Sequence, residues 1–151
     1  MDSVFDPKSK GERIEAVILA ELVHRGLTVL TPFGENHRYD FVIETSQGFN
    51  RLQCKSARDE GEVIRFSTRS TRPRANGYDT ADYDRDIDYF ITTVGLGSDV
   101  YLVPIEDASK NEMVLRKEPP ANNQSKGINW ADEYRLDAHI DRLRGHVAQP
   151  G

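Results

Sequence analysis

Residues 39–56 decide the fold: Tyr39-Asp40-Phe41-Val42-Ile43-Glu44-Thr45, then Ser46-Gln47-Gly48, then Phe49-Asn50-Arg51-Leu52-Gln53-Cys54-Lys55-Ser56. Two runs rich in aromatic and β-branched residues flank a tight connection, which reads as a β-hairpin. Side chains alternate faces along a strand, and residues directly paired across a hairpin share a face. If Gln47-Gly48 forms a two-residue loop, Asp40 lies opposite Lys55 with Gln53 on the diagonal. If the loop has four residues, Asp40 lies opposite Gln53. Either register gathers Asp40, Gln53 and Lys55 on one face and leaves Phe41, Ile43, Leu52 and Cys54 on the other, as an apolar face for the core. A slip by one residue would break the cluster.

An acid, an amide and an ammonium on one face suit phosphodiester hydrolysis. Asp40 offers hard oxygen ligands for Mg²⁺. The side-chain carbonyl of Gln53 and the backbone carbonyl of Cys54 can complete the protein's share of the coordination. A metal held there would polarise the phosphate and lower the pKa of a bound water. Lys55 could orient that water and stabilise charge developing on the phosphate. Glu15, on the preceding helix, could reach the same cluster directly or through water. Arg38 and His37 precede Asp40 and could touch phosphate. The four histidines, His24, His37, His139 and His146, show no metal-ligand spacing, which argues against a zinc site. Cys54 reads as a buried core thiol, not a nucleophile.

Outward from the hairpin, residues 8–25 repeat apolar side chains at helical spacing (Ile14, Val17, Ile18, Leu22), and Gly26 stops the helix. Leu27 to Leu30 predicts a short strand, and Pro32 and Gly34 mark a turn. Strands are predicted at 62–67, 87–94 and 100–105, with an edge strand at 112–116 and a helix over 131–143. The polar stretch from Thr68 to Asp86 is expected to be a long loop of functional importance. Helix, four or five strands and helix in that order predict an α/β (α+β) sandwich around a mixed sheet. A chain of 151 residues makes one domain.

With 20 basic and 25 acidic residues the net charge is -5, which alone speaks against a phosphate-binding surface. The distribution says more than the sum. Residues 51–77 hold seven basic and three acidic side chains, whereas residues 78–112 hold nine acidic and two basic ones. A local basic patch is therefore compatible with an acidic protein, and Arg65, Arg69, Arg72 and Arg74 are its candidates. The longest apolar run, Ala16 to Ala20, spans five residues and excludes a membrane-spanning helix there. The first residues lack the basic-then-apolar pattern of a signal peptide, and a lone cysteine excludes an internal disulfide framework. The expected compartment is the cytoplasm.

The ordered set is Gly11-Glu12-Arg13-Ile14-Glu15 on a helix, Pro32-Phe-Gly-Glu-Asn-His-Arg-Tyr-Asp40, Gln53-Cys54-Lys55, Asp88-Tyr-Phe90 and Tyr101-Leu-Val-Pro-Ile105. It resembles the PD-(D/E)XK nuclease superfamily, in the branch where Gln replaces the acid of the third motif. That branch includes a group I intron-encoded homing endonuclease and free-standing relatives. The resemblance covers about residues 8–106, leaving 107–151 as a C-terminal extension of a single nuclease domain. It implies a restriction-endonuclease-like core, a mixed central β-sheet flanked by helices. It implies a Mg²⁺-dependent endodeoxyribonuclease, with Mn²⁺ as a substitute, acting on double-stranded DNA by direct attack of metal-activated water. Glu15, Asp40, Gln53 and Lys55 take the catalytic positions. Asp40, Gln53, the Cys54 carbonyl and Glu15 take the metal positions. The DNA contacts expected from Arg38, Arg65, Arg69, Arg72 and Arg74 rest on position and local charge, since the basic loop from Thr68 to Asp86 has no counterpart in the resemblance. One active site per chain implies a homodimer or homotetramer for cutting two strands. A structure-selective nuclease such as a Holliday junction resolvase shares the core, and a non-catalytic DNA-binding module could keep the fold.

Overall fold

The first element is helix α1, Pro7–His24. Asp6 caps it, its carboxylate accepting from the Ser9 N–H at 2.8 Å, and Pro7 supplies a preset φ at the first helical position. Its end follows from Gly26, whose φ of +81° a side chain would resist. The Gly26 N–H bonds the Val23 carbonyl and the Leu27 N–H bonds the Leu22 carbonyl, closing a Schellman cap. Ile14, Ile18 and Leu22, four residues apart, form the buried stripe of α1. The structure, a computed structural model, describes residues 6–74, 77–81, 86–122 and 126–143; over 70–74 and 77–81 it describes the backbone only.

The strands are β1 (Thr28–Leu30), β2 (Phe41–Thr45), β3 (Gly48–Ser56), β4 (Arg58–Asp59), β5 (Val63–Ser67), β6 (Ser70–Arg74), β7 (Gly77–Ala81), β8 (Tyr89–Thr93), β9 (Val100–Pro104) and β10 (Glu112–Arg116). Five of them build the central sheet in the order β1-β2-β3-β8-β9. The sheet is mixed: β3 runs parallel to β8, and every other neighbour is antiparallel. The register of β2 on β3 pairs Phe41 with Leu52 and Thr45 with Gly48. This is the register that sets Asp40 opposite Gln53. The turn is tighter than a four-residue loop, because the ladder runs on to Thr45 and leaves only Ser46-Gln47 between the strands.

α1 covers one face of this sheet. Phe41, Ile43, Leu52, Ile91 and Leu102 pack there against Ile14, Ile18 and Leu22, with Cys54 at the margin. The chemistry-bearing face of β3 is covered too. A second sheet, in the order β10-β5-β4, lies over it and contributes Ile64, Phe66, Met113 and Leu115 to a second core with Phe90 and Val103. The Phe66 and Phe90 rings meet edge to face at 5.9 Å.

Two sequence expectations are corrected. The stretch from Thr68 to Asp86 is not a loop throughout: β6 and β7 form an antiparallel hairpin within it, and residues 75–76 and 82–85 lie outside the described set. This hairpin pairs only with itself, so no core face demands an apolar alternation. The segment 131–143 is not one helix. A 3-10 turn, Ala131–Tyr134, is followed by an extended Arg135 (ψ 139°) and then by α2, Leu136–Leu143. Arg135 leaves helical geometry because its backbone bridges to Tyr101 and its side chain reaches Asp99 at 3.1 Å. Leu136 and Leu143 carry α2 onto the α1 core, and the Arg25 guanidinium grips Asp137 with two bonds of 2.7 and 3.2 Å. No described helix is long and apolar enough to cross a membrane.

Candidate active site

Asp40 stands one residue before β2, where the hairpin register hands the chain to the loop from Thr31 to Tyr39. Its N–H bonds the Leu52 carbonyl at 2.8 Å, and its Oδ2 accepts from the Cys54 N–H at 2.8 Å. The acid is thus locked onto β3 by two bonds, one through the backbone and one through the side chain. Burial pushes its carboxyl above the usual carboxylate range, opposed by the Cys54 N–H and the Lys55 charge.

Glu15 projects from α1 toward the same place. Its carboxyl is raised from 4.5 to about 6, first by burial, then by the charges of Asp40 and Glu12. Two acids that resist ionising together form a site that gains from a cation. Gln53 is half-buried, and its Nε2 donates to the Cys54 carbonyl at 3.2 Å. The Cys54 backbone thus touches both side chains, its N–H holding Asp40 and its carbonyl accepting from Gln53, and the nearby donor set is carboxylate, amide and carbonyl oxygen. This donor set is hard and fits Mg²⁺ better than a soft metal. Among the described residues no three His, Cys, Asp or Glu side chains cluster as a ready metal cage. A metal here would rely on the amide and carbonyl oxygens as well as the two acids.

Lys55 follows on β3. Its Nζ donates to the Arg69 carbonyl at 2.7 Å, and its own carbonyl accepts from the buried Thr92 hydroxyl at 2.6 Å. Burial lowers its pKa to about 8; Asp40 opposes that shift and Arg38 adds to it. The Cys54 thiol is pushed well up by burial and by the two nearby carboxylates, so it is no nucleophile. A cleft of about 240 Å³ opens beside this cluster, walled by Glu15, Asp40, Thr31, Pro32, Gly34, Asn36, His37 and Tyr39.

The arginines assigned to DNA fall in different places. Arg38 is only 11% exposed and pairs with Asp86 at 3.1 Å, close enough to Lys55 to act on its proton. It belongs to the interior of the site, not to an open phosphate surface. Arg65 pairs with Glu60 and Glu112, and Arg58 shares both acids. Part of the basic excess of residues 51–77 is thereby answered from outside the window, by Glu112 against Arg58 and Arg65 and by Asp88 against Arg51. Arg69 bonds Asn111 at 2.9 Å. Arg72 and Arg74 lie on β6, and their side chains are outside the described set.

Sequence reasoning did not single out Thr92. A threonine in a strand carries no signal beyond β-propensity, and only the parallel pairing of Lys55 with Thr92 reveals its hold on the lysine backbone. Asn36 was also missed. Its φ of +69° makes it the one non-glycine in left-handed geometry among the described residues.

The profile of the PD-(D/E)XK endonuclease family matches residues 5–137. Among solved structures the chain is similar to a bacterial homing endonuclease, I-Ssp6803I, with a TM-score of 0.72 and 19% identity over 97% of this chain and 99% of that one. No match was found among curated proteins. At that identity the structural likeness speaks for the fold, a restriction-endonuclease-like core, while the family match spans most of the chain, and the chain belongs to the PD-(D/E)XK endonuclease family.

Proposed function

We propose that this protein is a Mg²⁺-dependent endodeoxyribonuclease whose active site is built from Glu15, Asp40, Gln53 and Lys55. The observation that carries this reading is the convergence on Asp40 of a second, mutually repelling carboxylate, Glu15, and a partly desolvated lysine, with Asp40 itself held by the Cys54 N–H. Asp40, Glu15, the Gln53 amide oxygen and the Cys54 carbonyl would hold the cation. When bound, it would polarise the phosphate and acidify a water. Asp40 is held rigid by the Cys54 and Leu52 backbone, so its oxygens need no reorganisation as charge develops. Lys55, with a pKa near 8, has two uses. As the ammonium it orients the attacking water and faces the developing phosphorane charge. As the free amine it accepts the water's proton. Thr92 keeps the lysine backbone in register while it does so. Cleavage of both strands calls for two such sites, hence a homo-oligomer.

The test is nicking of supercoiled plasmid with Mg²⁺, with Mn²⁺ and with EDTA, beside a four-way junction as substrate. Wild type should nick plasmid with either metal and not with EDTA. Asp40→Asn should bind DNA, fold normally and not cut. Full activity in EDTA, or an active Asp40→Asn, would sink the assignment. Exclusive cutting of the junction would redirect it to a structure-selective nuclease.

A further inference from the structure

Phe33 is fully exposed, at 101% of its free surface. Other large apolar side chains also reach solvent, none so fully: Val23 in α1, Leu30 at the end of β1, Phe49 beside the β2–β3 turn and Leu96 on the β8–β9 turn. Phe33 is the most exposed of them. Its two neighbours, Pro32 and Gly34, are walls of the cleft that also contains Glu15 and Asp40. The ring therefore stands on the rim of the candidate active site.

The turn that presents it is braced, not loose. Gly34 takes a φ of +97° and Asn36 a φ of +69°. Left-handed geometry at a non-glycine costs free energy and persists where the surroundings impose it. The His37 Nε2–H donates to the Phe33 carbonyl at 2.9 Å, and the His37 ring rests against Tyr39 at 5.8 Å. Tyr39 in turn packs against the second core. A chain of contacts thus runs from the core through Tyr39 and His37 to the backbone of Phe33. The fold commits a strained residue and a histidine to holding an aromatic ring out in water.

Phe33 is flanked on both sides by walls of the cleft in which a phosphate would meet Asp40. We propose that Phe33 is a DNA wedge, its ring pressed against the base step beside the phosphate presented to Asp40. This rests on the nuclease reading above and adds to it a contact with the bases. Apolar wedges of this kind unstack a step partially and bend the duplex, and the energy returns as wider contact with the protein. Here the bend would also lower the backbone into a narrow cleft. Among the described residues Arg51, Arg58 and Arg65 are held in ion pairs, so stacking would add affinity that these charges do not supply. Because Phe33 makes no packing contribution in the free protein, its replacement should leave the fold intact.

The experiment uses Phe33→Ala, Phe33→Leu and Phe33→Trp, the last combined with Trp130→Phe so that one indole reports. Binding of sonicated duplex DNA is measured in EDTA, where nothing is cut, and nicking of plasmid is measured in Mg²⁺. In EDTA, Phe33→Ala should weaken binding roughly tenfold, the scale of one base–aromatic stack, and Phe33→Leu should fall between. The indole at position 33 should be quenched by DNA and shielded from acrylamide. Wild-type binding and nicking by Phe33→Ala, or an indole still open to acrylamide at saturating DNA, would overturn the wedge alone. A wild-type protein that neither binds nor nicks DNA would overturn the nuclease reading and the wedge with it.

Discussion

Replacing Glu15 by Gln should make the metal-free protein more stable at neutral pH. The carboxyl ordinarily titrates near 4.5 and is raised to about 6 by burial first and by Asp40 second. That displacement corresponds to about 2 kcal/mol against the ionised form. Glu15 is only half-buried, and solvent screens it, so about 1 kcal/mol is the realistic size. The sign follows from proton linkage. Between pH 4.5 and about 6 the folded protein holds more protons at Glu15 than the unfolded chain does. Stability therefore falls as pH rises through that window, and the penalty is complete above it. The amide carries no charge at any pH and escapes the penalty.

Thermal or urea unfolding in EDTA at pH 4, 6 and 8 measures the difference. For a chain of this length 1 kcal/mol is about 2–4 °C in Tm. The Glu15→Gln protein should melt about that much higher at pH 8 and together with wild type at pH 4. Added Mg²⁺ should reverse the order, because a cation that binds only the folded state stabilises the protein that binds it better. A mutant less stable at pH 8 in EDTA would refute the reasoning, as would a difference that persists unchanged at pH 4.

Lys55→Ala should lower the cleavage rate at saturating DNA by about 10²–10³, the usual cost of one well-placed electrostatic donor, with little loss of affinity. Wild type is expected to cut faster as pH climbs through about 8, and the variant should flatten that rise; a mutant that retains the rise would remove Lys55 from proton transfer. Changing Arg69, Arg72 and Arg74 together to Ala should reduce the slope of log K against log salt by about 0.9 for each phosphate the variant no longer neutralises. An unchanged slope in filter-binding titrations would place the DNA surface elsewhere. Leu52→Ala, beneath α1 and fully buried, should cost about 2–5 kcal/mol by urea titration, and a value under about 1 kcal/mol would mean that the α1–sheet packing contributes less than its burial indicates.

The central hairpin was legible because a period-two pattern and a one-sided core leave few registers open. Phe41, Ile43 and Leu52 could only face α1, so Asp40, Gln53 and Lys55 had to share the other side. What was not legible depended on a second layer. The strand 62–67 was visible as a run of alternating residues, but nothing local says that it leaves the central sheet, packs on the core around Phe90, and leads into the segment whose Arg69 carbonyl receives the Lys55 amine. Without that contact the lysine reads as a solvated ammonium near its ordinary pKa. With it, burial brings the amine into the range where it can exchange a proton. Charge counting along the string misses cross-strand partners for a related reason. Residues 51–77 look basic as a string, yet Arg58 and Arg65 fold against Glu112, brought by β10 from outside the window. Linear charge predicts a patch only where no neighbouring strand answers it. Antiparallel pairing of β5 with β10 sets Val114 opposite Arg65 and Glu112 opposite Ser67, so this strand was bound to bring an acid within reach. The loop from Thr31 to Tyr39 is the opposite case. Its conformation is braced by a histidine–carbonyl bond and one strained asparagine, local features that a pattern of apolar and polar residues cannot express.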